Sequence, residues 1–184
     1  MPRERAEAVK DLFEQYVPRL YRFALRLTGN QADAEDLSQA TLLRAWKDRA
    51  RLRDPCAAKS WLFAIAANLW HSGLRRKGRE ERFVRGAEEL GPRQVPLPEE
   101  EIIVKEDLLR VRETMDALPG RQREVLYLHA CEGFSLTEIA DILDLSPQAV
   151  KASLSLARKR MRQKLQDLNE NVNFSRVRET HRKP

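Results

Sequence analysis

Between positions 136 and 164 the chain carries side chains suited to reading duplex DNA. Gln148, Lys151, Ala152 and Ser155 share one side of a helix that begins after Ser146-Pro147, and Arg158 and Lys159 follow one turn later. Polar groups near a helix N-terminus can reach base edges in the major groove. Cations further along the same helix can hold phosphates. From Arg158 to Lys164 five of seven residues are basic and none is acidic. The competing reading is a helical hairpin with a solvated basic face.

A second group lies earlier. Trp61, Phe63, Asn68 and Trp70 are interleaved with Lys59, Arg75, Arg76, Lys77 and Arg79. Aromatics beside cations suit unstacked bases, because a ring face receives the base while cations hold the backbone. The helical spacing of Trp61, Ile65 and Leu69 suits a packed core equally well. A third group, Asp33, Glu35 and Asp36, would repel DNA, so it is either a solvated face or a surface for a protein partner.

Catalytic and metal chemistry find little support. His71, His129 and His181 are scattered, without metal-ligand spacing. Cys56 and Cys131 are 75 positions apart, with no CxxC pair and no disulfide framework, which fits a reducing cytoplasm. Seven glycines form no phosphate-binding loop. We therefore expect no catalytic residue, metal or cofactor. The charge balance, 34 basic against 28 acidic residues for a net +6, suits a polyanionic partner. The longest apolar run, Trp61 to Ala67, is too short to span a membrane. The charged N-terminus reads as lacking a signal peptide, and a cytoplasmic location is expected.

The elements that must position these groups read as all-α. Apolar spacing is helical almost throughout the 184 residues. Val9, Leu12, Phe13, Tyr16, Leu20, Phe23, Ala24 and Leu27 form a first stripe, which Pro18 kinks or splits and Gly29 ends. Asn30 is a good N-cap for a second helix to about Lys47, with Leu37, Thr41, Ala45 and Trp46 inward. Residues 48–54 read as an Arg-rich loop. Asp54-Pro55 starts a third helix, with Trp61, Leu62, Ile65, Ala66, Leu69 and Leu74 inward. Residues 86–101 hold two Gly, three Pro and five Glu, a linker composition.

A second block follows. One helix spans about 101–117, with Ile102, Leu108, Leu109, Val111 and Met115 inward, and a second runs from Arg121 to Glu132 and ends at Gly133. Ser135-Leu-Thr-Glu138 is a capping box that starts a short third helix with Ile139, Ala140, Ile142 and Leu143 inward. After Asp144-Leu-Ser146 a fourth helix runs to about Leu168, held to the core by Val150 and Leu154. Short helix, tight turn and longer Pro-started helix match the DNA-binding helix-turn-helix, with Ala140 small at the crossing. The polar tail from Asn169 is expected to fray.

Taken together, the motifs resemble extracytoplasmic-function (ECF) sigma factors of bacterial RNA polymerase. Asp33-Ala-Glu-Asp-Leu-Ser-Gln-Ala-Thr-Leu-Leu-Arg-Ala-Trp46 is similar to region 2.2 of that family. Ser60-Trp-Leu-Phe-Ala-Ile-Ala-Ala-Asn68, followed by Leu74-Arg-Arg, is similar to regions 2.3 and 2.4. Leu118-Pro119, Arg123-Glu-Val-Leu126, Glu132-Gly133, Glu138-Ile-Ala140 and Val150-Lys151 are similar to region 4. The resemblance covers about residues 8–168. It implies two small helical domains: a sigma-2-like domain over 1–85, a flexible linker over 86–101, a sigma-4-like helix-turn-helix domain over 102–168 and a polar tail over 169–184.

The resemblance also implies roles. Asp36 and Gln39 would dock on the clamp helices of the polymerase largest subunit. Asn68 matches the family's base-pocket asparagine, aided by the loop at about 48–59, with Arg75, Arg76 and Lys77 along the −10 backbone. Gln148, Lys151, Ala152, Ser155, Arg158 and Lys159 would read the −35 element, while another surface of the second block meets the polymerase flap. An anti-sigma factor is the expected regulator. Ser72, Ala40, Ala152, Ser153 and Leu156 depart from the family pattern, so no −35 sequence comes with the resemblance. The alternatives are a helix-turn-helix regulator acting without polymerase, and a DNA-processing enzyme, for which the first block supplies no nucleophile or carboxylate cluster.

Overall fold

A computed structural model describes the backbone over residues 9–83 and 106–180, and side chains over 9–74 and 110–166. The expected linker at 86–101 and Ile102 lie outside the described residues. Every regular element among the described residues is helical.

The first stripe is split, not kinked. Helix α1 is described over 9–14, a turn occupies 15–16, and α2 (Val17–Thr28) starts with Pro18 in its first turn. Proline costs nothing there, because the first amide hydrogens of a helix have no internal partner. Gly29 closes α2 at φ 75° with its N–H on the Leu25 carbonyl, a left-handed cap that favours glycine. Asn30 then caps α3 (Gln31–Lys47), its side-chain oxygen accepting from the Asp33 N–H at 2.9 Å.

The Arg-rich segment read as a loop contains a 3-10 turn at Arg49–Arg51. Asp54 accepts from the Cys56 N–H and opens a second 3-10 turn, Pro55–Ala57, which feeds α4 (Ala58–Phe83). In the second block α5 spans Glu106–Asp116 and α6 spans Gly120–Ala130. Helix α7 (Leu136–Leu143) carries both arms of the capping box: the Glu138 N–H bonds Ser135 Oγ, and the Ser135 N–H bonds Glu138 Oε2. Asp144 adopts φ 52° at its C-cap, and Ser146 Oγ accepts from the Ala149 N–H at the start of α8.

Three expectations need correction. Helix α8 spans Pro147–Thr180, well past Leu168, so the tail does not fray at Asn169. No Gly or Pro occurs between 148 and 183, so nothing in the chain stops propagation of a helix already nucleated. Trp46 lies on the surface instead of the inward side of α3, with the Arg49 guanidinium 4.4 Å from its ring centroid. Val111 is likewise exposed, while Thr114, Met115 and Leu118 supply the inward contacts of that segment.

The two blocks share one core. A single buried cluster joins Leu20, Phe23, Ala24, Phe63 and Ala67 of the first block to Val125, Tyr127, Leu128, Phe134, Ile139 and Val150 of the second. Its centre is aromatic. Phe23 lies 5.1 Å from Phe63 and 5.7 Å from Tyr127, and Phe63 meets Phe134 edge-on at 5.4 Å. Such pairs contribute about 0.5–1.5 kcal/mol beyond their area burial. A smaller cluster of Phe13, Ala45, Leu52, Ala58 and Leu62, with Trp61 against it, holds α1 to α3 and α4.

Candidate nucleic-acid interface

The helix-turn-helix fixes the orientation of α8. Val150, Leu154 and Ala157 of α8 are buried at successive turns in one cluster with Ile139, Ala140, Ile142 and Leu143 of α7. Ala140 is small enough for the two helices to cross closely. With those three positions turned inward, Gln148, Lys151, Ala152, Ser155, Arg158 and Lys159 are all exposed. The expected −35 residues therefore form one open face on a rigidly anchored helix. Leu156 joins this surface, half exposed at 49%.

On α4 the expected residues divide. Asn68 is exposed, whereas its neighbours Ala66 and Ala67 are buried and hold that stretch of helix. Ser72 donates to the Leu69 carbonyl at 2.9 Å and so folds back on its own helix. Arg75, Arg76 and Lys77 continue α4 on the backbone, with their side chains outside the described residues. The aromatics are core. Phe63 is fully buried in the shared cluster, Trp70 packs partly buried against it, and Trp61 packs 6.0 Å from Phe13.

On α3 Asp36 and Gln39 are exposed on the outer side. Gln39 lines a groove of about 380 Å³ with Phe13, Val17, Leu42, Leu43 and Trp46, and Lys10 and Glu14 also line it. Leu43 is 63% exposed in it. The sequence reading missed this apolar surface by assigning Trp46 to the core. The signal was present: adjacent Leu42 and Leu43 cannot both face inward on one helix.

A third surface is hidden between the blocks. Arg26 Nη1 of α2 lies 2.5 Å from Asp116 Oδ1 at the end of α5. Lys59 Nζ of α4 donates to the Glu132 carbonyl and sits 4.4 Å from the Phe134 ring centroid. The Glu132 carboxylate lies 3.4 Å from Lys59 Nζ and 3.8 Å from Arg19 Nε. His71 Nε2 is 3.0 Å from Glu124 Oε1, whose other oxygen takes Arg121 Nη1 at 3.2 Å. In each of these cross-block pairs the basic or imidazole group belongs to the first block and the carboxylate to the second. Burial pushes the Tyr127 phenol and the Cys131 thiol above their ordinary pKa values, with the Glu132 carboxylate adding to both.

Among the described residues no group of three or more His, Cys, Asp or Glu is arranged to hold a metal ion. No helix there is long and apolar enough to cross a membrane.

Comparison with known proteins converges on one family. Sigma-70 region 2 matches residues 12–80, and Sigma-70, region 4, matches residues 108–161. The chain is 32% identical over 164 residues to the ECF RNA polymerase sigma factor SigL of Mycobacterium tuberculosis, covering 89% of this chain and 92% of that protein. It is 28% identical over 172 residues to SigW of Bacillus subtilis, covering 88% and 91%. Among solved structures, the sigma factor RpoE of Bartonella quintana, crystallised with the anti-sigma factor NepR, aligns with a TM-score of 0.72 at 28% identity. That alignment covers 87% of this chain and 98% of the RpoE chain.

Proposed function

The chain belongs to the extracytoplasmic-function sigma factors of the sigma-70 family, and we propose that it divides that family's work among the three faces described above. As such a factor it binds core RNA polymerase, recognises −35 and −10 promoter elements and nucleates promoter melting. It acts by binding and carries out no catalysis of its own. It works in the cytoplasm, where core polymerase and DNA are.

The observation that carries the reading of the −35 face is the anchoring of α8. Three buried positions turn six DNA-competent residues to one side. Gln148, Lys151, Ala152 and Ser155 lie toward the helix N-terminus, where base edges in the major groove are within reach. Arg158 and Lys159, further along, hold phosphates. The −35 element is then set in register by charge and read by short polar and methyl groups.

The −10 element engages α4. Asn68 stands exposed on a helix fixed by buried neighbours, and its amide offers both donors and an acceptor to the edge of an extruded base. Extrusion costs a few kcal/mol of stacking and pairing, which hydrogen bonds to the captured base must offset. Arg75, Arg76 and Lys77, in the following turns, hold the adjoining backbone. Ser72 places a short hydroxyl four positions after Asn68, already engaged with the Leu69 carbonyl, so base selection rests on Asn68.

Core polymerase docks on the outer side of α3. Asp36 and Gln39 supply charge and hydrogen bonds there, and the groove beside Gln39 supplies exposed apolar area in Leu43 and Trp46. A polar rim with an apolar centre is the usual composition of a protein-binding surface. The flap meets the second block away from its −35 face. The working division is 1–85 for polymerase and −10, 86–101 as linker and 102–168 for −35. An anti-sigma factor, the class of partner bound by the Bartonella relative, is the proposed regulator.

Run-off transcription with core polymerase of the source organism, on the promoter upstream of this protein's own gene, tests the reading. A specific transcript that depends on the added protein supports it. Retention of duplex DNA with no binding to core polymerase would instead favour a regulator acting without polymerase.

A further inference from the structure

Among the described residues of α8, Leu156 is the one large apolar side chain that is exposed, at 49%. Its setting is otherwise polar or cationic, with Lys151, Ser155, Arg158, Lys159 and Arg160 exposed on the same helix. Ala152, also exposed, lies one turn before it, so the two side chains share a side. Each residue advances about 100° around a helix. Ala152 therefore stands opposite the buried line of Val150, Leu154 and Ala157, at the centre of the open face, with Leu156 beside it. Arg160, one turn beyond Leu156, gives Nη1 to Gln122 Oε1 of α6 at 2.9 Å. On the line through Ala152 and Leu156 the next cation is thus already engaged.

A leucine exchanges no hydrogen bonds with a base. Against the amino group of adenine or cytosine, or the acceptors of guanine, it displaces water and leaves a polar group unpaired. Thymine is the base whose major-groove edge carries a methyl group. Contact with that methyl buries apolar surface on both partners. Resting on the −35 reading of α8 above, we propose that Leu156, with Ala152, reads thymine methyl groups, and that the −35 element of this factor carries thymine under this pair. The spacing sets where the contacts fall. Four residues rise about 6 Å along a helix, against about 3.4 Å per base pair, so the two contacts lie within about two base pairs of each other. Selection works largely by refusal, since other base edges bury a polar group against leucine. Arg158 and Lys159, on phosphates, hold the helix in the groove without choosing a base.

The test uses the full chain on core polymerase. Run-off selection on the promoter upstream of this protein's own gene, with its −35 element randomised, gives the preferred sequence. Each thymine in it, on either strand, is then replaced by uracil, which keeps the base pair and the O4 acceptor and removes only the methyl group. Holoenzyme binding is expected to weaken by about fourfold, the worth of one buried methyl-sized group, at one or two positions within about two base pairs of each other. Leu156→Ala is expected to erase the thymine–uracil difference at one of them. Leu156→Gln is expected to shift selection at that position toward adenine, a gain that loss of folding would not produce, and it serves if Leu156→Ala loses helicity by circular dichroism. A preferred −35 element without thymine overturns the proposal. So does a thymine–uracil difference that persists unchanged in Leu156→Ala, which assigns it to DNA shape or to another residue. Loss of affinity for core polymerase itself in Leu156→Ala makes Leu156 a protein contact and overturns it too. A wild-type chain that enriches no −35 sequence, or does not bind core polymerase, overturns the reading of α8 as well. An enriched −35 element with no uracil effect overturns the thymine contact alone.

Discussion

Val150 and Lys151 are adjacent in the chain and opposite in exposure: Val150 is fully buried against α7, and Lys151 stands in solvent on the outer face of α8. One residue anchors the helix and the next one presents it. The two positions therefore separate folding from DNA binding by a single step along the chain.

Substitution should respect that separation. Val150→Ala is expected to cost about 2 kcal/mol of stability, from lost burial and a residual cavity, seen as a lowered urea midpoint. Lys151→Ala with Arg158→Ala should leave the midpoint unchanged. It should weaken −35-dependent transcription and reduce the slope of log affinity against log salt by about one for each phosphate contact removed. Full activity of the double variant on a −35-dependent promoter would remove the assignment.

Asn68 is exposed on a helix whose packing does not involve its side chain, so Asn68→Ala should be tolerated by the fold. Open-complex formation, followed by a fluorescent base in the −10 element, is expected to slow by about tenfold, equivalent to about 1.4 kcal/mol. Affinity for core polymerase should stay within twofold, on the order of 0.4 kcal/mol. An unchanged melting rate on duplex promoter would dismiss the base-capture role.

The polymerase face makes a prediction with two chemistries. Asp36→Lys reverses a solvent-facing charge and should reduce core affinity chiefly through a slower association rate that recovers at high salt. Leu43→Asp places a charge in the apolar groove beside Gln39. Because Leu43 is largely exposed, the fold should tolerate it, and the loss should appear in the dissociation rate. Surface plasmon resonance on immobilised core polymerase distinguishes the two, and unaltered kinetics for both would leave α3 without its proposed partner.

The capping box of α7 sets the entry to the helix-turn-helix and carries a pH signature. Hydrogen bonds from the Ser135 side chain and backbone hold the Glu138 carboxyl below its ordinary value. A lowered carboxyl contributes stability above the ordinary carboxylate range, and that stability is lost as pH falls through the lowered value. Ser135→Ala should cost about 1 kcal/mol near neutral pH, measured by thermal unfolding. Glu138→Gln should flatten the acid limb of the wild-type stability curve. An acid limb unchanged in Glu138→Gln would assign it to other carboxyls.

Local features of the fold were legible because their causes are local. Asn30, Asp54, Ser135 and Ser146 each satisfy a backbone amide within three residues, so residue type and spacing sufficed to place four helix starts. The same holds for Gly29, whose left-handed φ ends α2. The alternation of Val150, Leu154 and Ala157 with the exposed residues of α8 follows from helical period alone. The open face of six residues was accordingly predictable as a set. Trp46 was misplaced because periodicity says which residues share a side of a helix, whereas burial depends on what packs there, and α1 leaves that side of α3 as an open groove.

From its order of residues the chain is determined to be helical, with a capped helix-turn-helix behind a Pro- and Glu-rich break and DNA-facing side chains at known positions. Each of those properties arises within a few residues of chain. The partnership of the blocks belongs to the tertiary structure. Arg26 and Asp116 are 90 residues apart, and Lys59 and Glu132 are 73 apart. Neither pair lies in any periodic pattern, and the intervening composition argues for separation. Of Phe23, Phe63, Tyr127 and Phe134, the sequence placed only Phe23 on an inward stripe and grouped Phe63 with rings suited to bases; their placement in space makes the four one core. Non-local contacts of this kind depend on the shapes of two folded surfaces, and a surface exists only after the helices that build it have packed.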